Sequence, residues 1–229
     1  MELSKTVSQP YILKWLIENF AAVRNLFRVR LNREPIITAE SLADFVHTRA
    51  AYIAQTSLFG YLKTRMGIKF RVLFEDETFS AEIHKASVKL FLSCLSDLTL
   101  YAVAMVARAG VLNDAELNAL ARHCHDRAHR AALAEVPPER RPENAEAAFA
   151  NRLNTVRWAD IPDGPEAFRG SEADLIRVAP VSDQFKDLDG EIVANSIRFR
   201  WHDVRDQMRK RLRGAEVADD WRQMPDGKG

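Results

Sequence analysis

The chain has 229 residues, and 47% of them are hydrophobic, which suits one large globular domain with a sizeable core. Its 33 lysines and arginines nearly cancel its 32 aspartates and glutamates, which excludes a strong overall field that would steer the protein onto nucleic acid or an acidic membrane. Cys94 and Cys124 lack a paired spacing such as C-x-x-C, and the N-terminus lacks the features of a secretory signal. We therefore expect a reduced, cytoplasmic setting.

The first predicted element is a basic amphipathic helix from about residue 10 to residue 30. Its apolar residues recur at steps of three and four, which puts them on one helical face: Leu13, Leu16, Phe20, Val23 and Phe27. The first 33 residues also carry six cations against two carboxylates. Aromatic and basic side chains on one helix are typical of docking to a partner groove or a membrane surface. We therefore interpret residues 1–34 as a docking element with these interaction residues: Trp15, Phe20, Arg24, Phe27 and Arg28.

The second predicted helix begins near Thr38 and Ser41, with a loose capping box formed by Ser41 and Asp44, and it continues to about Met66. An N-terminal helix followed by this helix superficially resembles the start of helical repressors that carry a helix-turn-helix there. Residues 42–63 nevertheless form one continuous helical pattern without the expected glycine-containing turn. A DNA-binding regulator is therefore the least favoured function. The most strand-like pattern follows, at residues 69–74.

The third predicted helix, residues 78–109, is apolar on most sides through its second half. Residues 90–107 are about long enough to cross a bilayer, but such a span would have to contain Asp97. A charge at the centre of a membrane span costs about 2.5–3.5 kcal/mol on insertion scales. We therefore interpret this segment as the central core helix.

The rest of the chain predicts a fourth helix over residues 113–134, a fifth helix with Pro142 as its first residue, and a last helix over residues 187–213. The last helix has a predicted buried stripe: Ile192, Val193, Ile197, Trp201, Val204, Met208 and Leu212. Between the last two helices we expect an irregular loop near residues 160–182, which begins with the turn-forming sequence DIPDGP and contains one short helical turn from Ser171. The sequence thus predicts an all-α protein: a single compact bundle of about six helices in residues 35–214, followed by a flexible tail in residues 215–229.

Asp97 is the first candidate for site chemistry, because a carboxylate in the most apolar segment needs a partner. Arg49 in the second helix is the predicted partner. A structural role is the simpler interpretation, and a ligand-binding or proton-handling role is the alternative.

His125 and His129 are the second candidate, because two imidazoles four residues apart on a helix lie on one side and can share a transition metal. Arg122 stands on the same side and opposes a bound cation, so a solvated polar face is the simpler interpretation. Sequence motifs for a di-iron bundle, a serine hydrolase elbow and a phosphate-binding loop are absent.

The basic run at residues 198–213 has seven cations against two carboxylates, which is most simply a solvated helix face. Because no catalytic motif is specific, the sequence favours a non-catalytic interaction or assembly module without a cofactor. Its partner would be another protein or a second copy, with an anionic membrane surface as an alternative and nucleic acid disfavoured. The rival hypothesis is an enzyme or ligand-binding protein with a metal- or carboxylate-based pocket inside the bundle.

Overall fold

The computed structural model describes residues 33–67, 76–134, 136, 141–142 and 145–224. Within these ranges the chain forms seven α-helices, which we number in order: α1 (Ala39–Met66), α2 (Glu77–Ala107), α3 (Asp114–Ala134), α4 (Ala145–Thr155), α5 (Arg169–Val178), α6 (Asp183–Arg211) and α7 (Gly214–Gln223). Two 3-10 turns, Trp158–Asp160 and Pro165–Phe168, lie between α4 and α5. The predicted all-α bundle is confirmed. The predicted helix over residues 10–30 and the strand-like residues 69–74 lie outside the described residues.

Helix α1 begins at a reciprocal capping box. The Thr38 hydroxyl oxygen accepts a hydrogen bond from the Ser41 amide at 3.0 Å, and the Ser41 hydroxyl oxygen accepts one from the Thr38 amide at 3.0 Å. The capping box predicted from Ser41 and Asp44 was therefore placed one turn too late. Gly67 ends the helix with a positive φ of 52°, a conformation that favours glycine.

Helix α2 lies at the centre of the bundle and contacts α1, α3 and α5 most extensively. Asp76 caps it by accepting a hydrogen bond from the Phe79 amide at 2.8 Å. Neighbouring helices surround its second half, which accounts for the apolar residues on nearly all of its faces. Among the described residues, α2 alone is long and apolar enough to cross a membrane, and 83% of its most apolar window is buried inside the protein. This burial supports the predicted core helix.

The residues predicted as an irregular loop contain a regular helix. Residues 161–164 are bent and irregular, but Arg169–Val178 is an α-helix whose Leu175 is buried. Only one short helical turn, from Ser171, is predicted here, whereas the helix begins at Arg169. Phe168 stands at the N-cap, and its side chain makes no capping hydrogen bond. The missing cap comes from α2, as described below.

The predicted tail is also partly wrong, because residues 214–223 form α7 instead of a flexible segment. Trp221 is buried against the bundle, and Arg222 donates to both oxygens of Glu116 in α3 at 2.8 and 3.0 Å. Gly214, directly after the predicted end of the last helix at residue 213, is the first residue of α7. Residues 225–229 lie outside the described part of the chain.

The described chain enters the bundle beside the end of α6. Ile36 is fully buried, and its amide donates to the Arg211 carbonyl at 2.9 Å while its carbonyl accepts from the Arg213 amide at 3.0 Å. The Arg211 guanidinium adds a bond to the Glu34 carbonyl at 2.8 Å. The two segments run in the same direction, as an isolated parallel bridge between Ile36 and Leu212.

Candidate functional site

Asp97 is a fully buried carboxylate that joins three helices. One of its oxygens lies 2.8 Å from the Arg152 guanidinium of α4, and the other accepts a hydrogen bond from the Ser171 amide of α5 at 2.7 Å. Ser171 is the third residue of α5, and the amide at this position normally donates to the side chain of the N-cap residue. Asp97 therefore caps α5 from a different helix and also places a negative charge at its N-terminus.

Gly170 makes this close approach geometrically possible. A Cβ atom on Gly170 would lie 2.9 and 3.2 Å from the two carboxylate oxygens of Asp97. The first distance is shorter than real Cβ atoms show, and the second is shorter than most of them show. The Ser171 hydroxyl extends the network, since it donates to the Phe168 carbonyl at 3.0 Å and accepts from the Trp201 indole of α6 at 3.1 Å. Burial raises the pKa of Asp97, and the Arg152 guanidinium opposes this increase.

The arginine predicted to pair with Asp97 lies elsewhere. Arg49 is buried, its Nε donates to the Gln207 side chain of α6 at 2.8 Å, and its guanidinium lies 5.1 Å from the ring centre of Phe45. Burial, with a smaller contribution from Arg211, lowers the pKa of Arg49 to about 10. The partner of Asp97 is Arg152, on a helix that sequence spacing alone could not bring to α2.

His125 and His129 are buried rather than solvated, so the predicted polar face is wrong. Their exposed fractions are 1% and 4%, because α4 packs over this side of α3 and the Phe149 ring stacks on His125 with centroids 3.7 Å apart. The two imidazoles are themselves stacked at 5.6 Å. Burial and the neighbouring His125 lower the pKa of His129.

The pair could provide two of the four ligands of a zinc site, but a metal needs more. Within the described ranges, no group of three or more His, Cys, Asp or Glu side chains is arranged to hold a metal ion. His129 Nε2 is buried without a hydrogen-bond partner in this part of the chain, and Nδ1 lies 3.6 Å from Glu146. This arrangement favours packing of the two rings between α3 and α4.

The basic run at residues 198–213 is mostly engaged within the molecule, and it is not simply a solvated face. Arg205 and Arg209 both donate to the carbonyl of Asp163, in the predicted turn, at 3.0 and 2.9 Å. The Asp163 carboxylate also accepts from the Tyr101 hydroxyl of α2 at 3.0 Å. Arg198 bonds Glu172 of α5 at 2.8 Å. These arginines attach α6 to α5 and to the turn.

The most unusual surface is a row of exposed large apolar residues on α6. They occupy successive helical steps of three, four and seven residues, so they share one face. We call this row the α6 stripe, and its members and exposed fractions are Phe185 (40%), Leu188 (67%), Ile192 (72%) and Phe199 (71%). Ile192 was predicted to be buried with Val193, but only Val193 faces the core.

The stripe lies on a well-anchored part of the helix. Asp189, between two members of the stripe, is buried and forms a bidentate ion pair with Arg65 at the end of α1. The same guanidinium lies 4.7 Å from the ring centre of Phe185. Four acidic residues accompany one lysine over residues 183–191, and Asp183, Asp187 and Glu191 are exposed.

Sequence reasoning missed the stripe because it started the last helix at residue 187 and assigned apolar positions to the core. The three- and four-residue spacing from Phe185 was nevertheless visible in the sequence. The predicted interaction residues Trp15, Phe20, Arg24, Phe27 and Arg28 lie outside the described residues. Comparisons with protein-family models, curated proteins and solved structures found no match.

Proposed function

We propose that this protein is a non-catalytic helical interaction module and that the α6 stripe is its docking surface. The observation that supports this proposal is the exposure of four large apolar side chains on one face of a helix that the Asp189–Arg65 ion pair holds to α1. Contiguous exposed apolar surface of this kind marks interaction sites in proteins. Two of the four are phenylalanines, and aromatic residues are enriched in the centres of protein interfaces.

The geometry of the stripe favours a helical protein partner. Apolar residues at alternating steps of three and four are the pattern with which one helix packs along another. The exposed carboxylates of Asp187 and Glu191 favour a partner helix with basic flanks, and they disfavour an anionic membrane surface. The partner proposed is therefore another protein that presents a basic amphipathic helix.

The rival function, an enzyme or ligand-binding protein with an internal pocket, would use Asp97 or the pair His125 and His129. The contacts of Asp97 are those of a helix cap, and the histidine rings pack against each other and Phe149. Perturbed pKa values at structural networks are common, so they do not by themselves favour catalysis. The exposed stripe is therefore the stronger observation.

The test is site-specific photo-crosslinking in the cell. A benzophenone-bearing amino acid is placed at position 192, on the stripe, or at position 187, which is exposed on another side of α6. We expect position 192 to give an adduct with a discrete second protein, position 187 to give none, and Leu188→Glu to abolish the adduct. The attached peptide should carry apolar residues at steps of three and four with basic neighbours.

Equal labelling from both positions, or no adduct with another protein from position 192, would contradict the proposed function. An adduct insensitive to Leu188→Glu would also contradict it, because the stripe would not be the surface that binds.

A further inference from the structure

The N-terminal segment has the same apolar spacing as the α6 stripe. Residues 13, 16, 20, 23 and 27 are apolar, at steps of three, four, three and four. The stripe starts at Phe185 and follows the same steps over a segment of the same length, fifteen residues, with Asn195 in the fourth position. Two helices with this pattern can pack side by side along their whole apolar faces, about 21 Å in length.

The path of the chain fixes which direction such packing can take. Glu34 lies against Arg211, and twelve residues separate Arg211 from Phe199, a distance of about 18 Å along α6. Seven residues lead from Phe27 to Glu34, and seven extended residues reach at most about 25 Å. Phe27 can therefore lie beside Phe199 when the two helices run parallel.

The antiparallel arrangement is out of reach for the same chain. It would put Phe27 beside Phe185, which lies 26 residues before Arg211, or about 39 Å along α6. The linker is too short for that distance. The parallel direction also continues the path of residues 34–36, which run parallel to the end of α6.

The parallel register that aligns Leu13 with Phe185 also brings opposite charges together. In a parallel pair of helices, residues flanking the apolar seam form ion pairs with the next heptad of the neighbouring helix. In this register the exposed Glu191 of α6 falls opposite Arg24.

We propose that residues 13–27 form a helix that packs parallel on the α6 stripe of the same molecule, where it competes with the partner helix. Packing in cis does not depend on the proposed function, but the competition does. A linker of seven residues gives the segment an effective concentration in about the millimolar range, which a partner must overcome to bind.

The first experiment is disulfide trapping in the full chain. Leu16→Cys and Leu188→Cys would face each other in the proposed register, and the native Cys94 and Cys124 are fully buried and do not compete. Mild oxidation should give a monomer with one disulfide between these two positions, identified by peptide mapping. The control pair, Val23→Cys and Leu188→Cys, is about 10 Å out of register in the parallel arrangement and should not close.

The proposal is wrong if the Leu16 and Leu188 pair stays reduced, if the control pair closes as fast, or if only dimers form. The last outcome would mean that the segment binds a second copy.

A charge exchange tests the register. Arg24→Glu should slow disulfide formation about two- to fivefold, and Glu191→Arg in the same chain should restore it. An unchanged rate in Arg24→Glu, or no restoration in the exchanged pair, would overturn the register.

The two proposals fail separately. The disulfide reports packing in cis alone, whereas the photo-crosslink at position 192 reports a second protein. If competition occurs, Arg24→Glu should increase the adduct with the partner. If the disulfide closes but no partner adduct forms, the proposed function is wrong and packing in cis stands. If the partner adduct forms but the disulfide does not close, only packing in cis is wrong.

Discussion

Asp97 shows how one buried side chain can determine a neighbouring helix. Its carboxylate replaces the cap that Phe168 cannot provide, so the start of α5 is specified by a residue 74 positions earlier in the chain. The Arg152 guanidinium, 2.8 Å from the other carboxylate oxygen, offsets part of the cost of burying the charge. A carboxylate that the sequence suggests as a candidate site thus links α2, α4 and α5 by structural contacts.

The close contact between Gly170 and Asp97 leads us to expect opposite effects on folding stability from alanine substitutions at two glycines. Gly170→Ala should destabilise the protein by about 1–3 kcal/mol, because its Cβ would press on the Asp97 carboxylate. Gly190→Ala, in the interior of α6, meets only Ile176 at 3.8 Å and should stabilise by about 0.5–1 kcal/mol through helix propensity. Urea unfolding followed by circular dichroism measures both. Equal effects of the two substitutions would contradict the role of Asp97 as a cap.

Helix α7 shows how a short terminal element is held. Glu116 closes the capping box of α3 by accepting from the Asn113 amide at 2.8 Å, and it also binds the Arg222 guanidinium of α7. Arg222 further donates to the Val111 carbonyl at 2.6 Å. Trp221 and Val217 supply the buried apolar contact. One carboxylate therefore connects the start of α3 to the end of the described chain.

The Glu116 ion pair predicts an acid-dependent loss of stability. Hydrogen bonds from Arg222, then from the Asn113 amide, lower the pKa of Glu116 from 4.5 to about 2. Because the folded-state pKa is lower, this stabilisation is complete above pH 4.5 and is lost as the pH falls towards 2.

Glu116→Gln should therefore lower the melting temperature at pH 7, and its difference from the parent should shrink between pH 4.5 and 2. Glu216→Gln, which removes an exposed carboxylate of α7, is the matched control at pH 7. A difference between Glu116→Gln and the parent that stays constant down to pH 2 would disprove this account.

At the scale of the whole molecule, the described helices enclose one continuous apolar core. At its edge, arginines of α6 bond to the Asp163 segment and to α5. The two conspicuous departures from this arrangement are opposite in kind. The pair His125 and His129 is polar and buried, and the α6 stripe is apolar and exposed. The first affects how stability depends on pH, and the second is where we expect association.

His129 predicts a pH dependence near neutrality. Burial and His125 lower its pKa below 6.5, so the unfolded chain binds a proton more readily than the folded protein does. The stability that neutral His129 contributes is present above pH 6.5, and it is lost as the pH falls through the pKa of His129 in the folded protein. In His129→Gln, the unfolding free energy measured with urea should fall less between pH 7.5 and 5.5 than in the parent. An identical fall in the two proteins would refute this role of His129.

The sequence by itself determined the helical class, the central place of residues 77–107 and the turn at Asp163. These features depend on local periodicity, caps and turn residues, which act over a few positions. It could not determine α5 or the docking of α7, because their anchors, Asp97 and Glu116, are distant in sequence. For the same reason, it could not choose Arg152 over Arg49. Which apolar residues of α6 face the core, and which form the stripe, depended on where the other helices pack. Burial is a property of the assembled structure, so only the tertiary fold decided it.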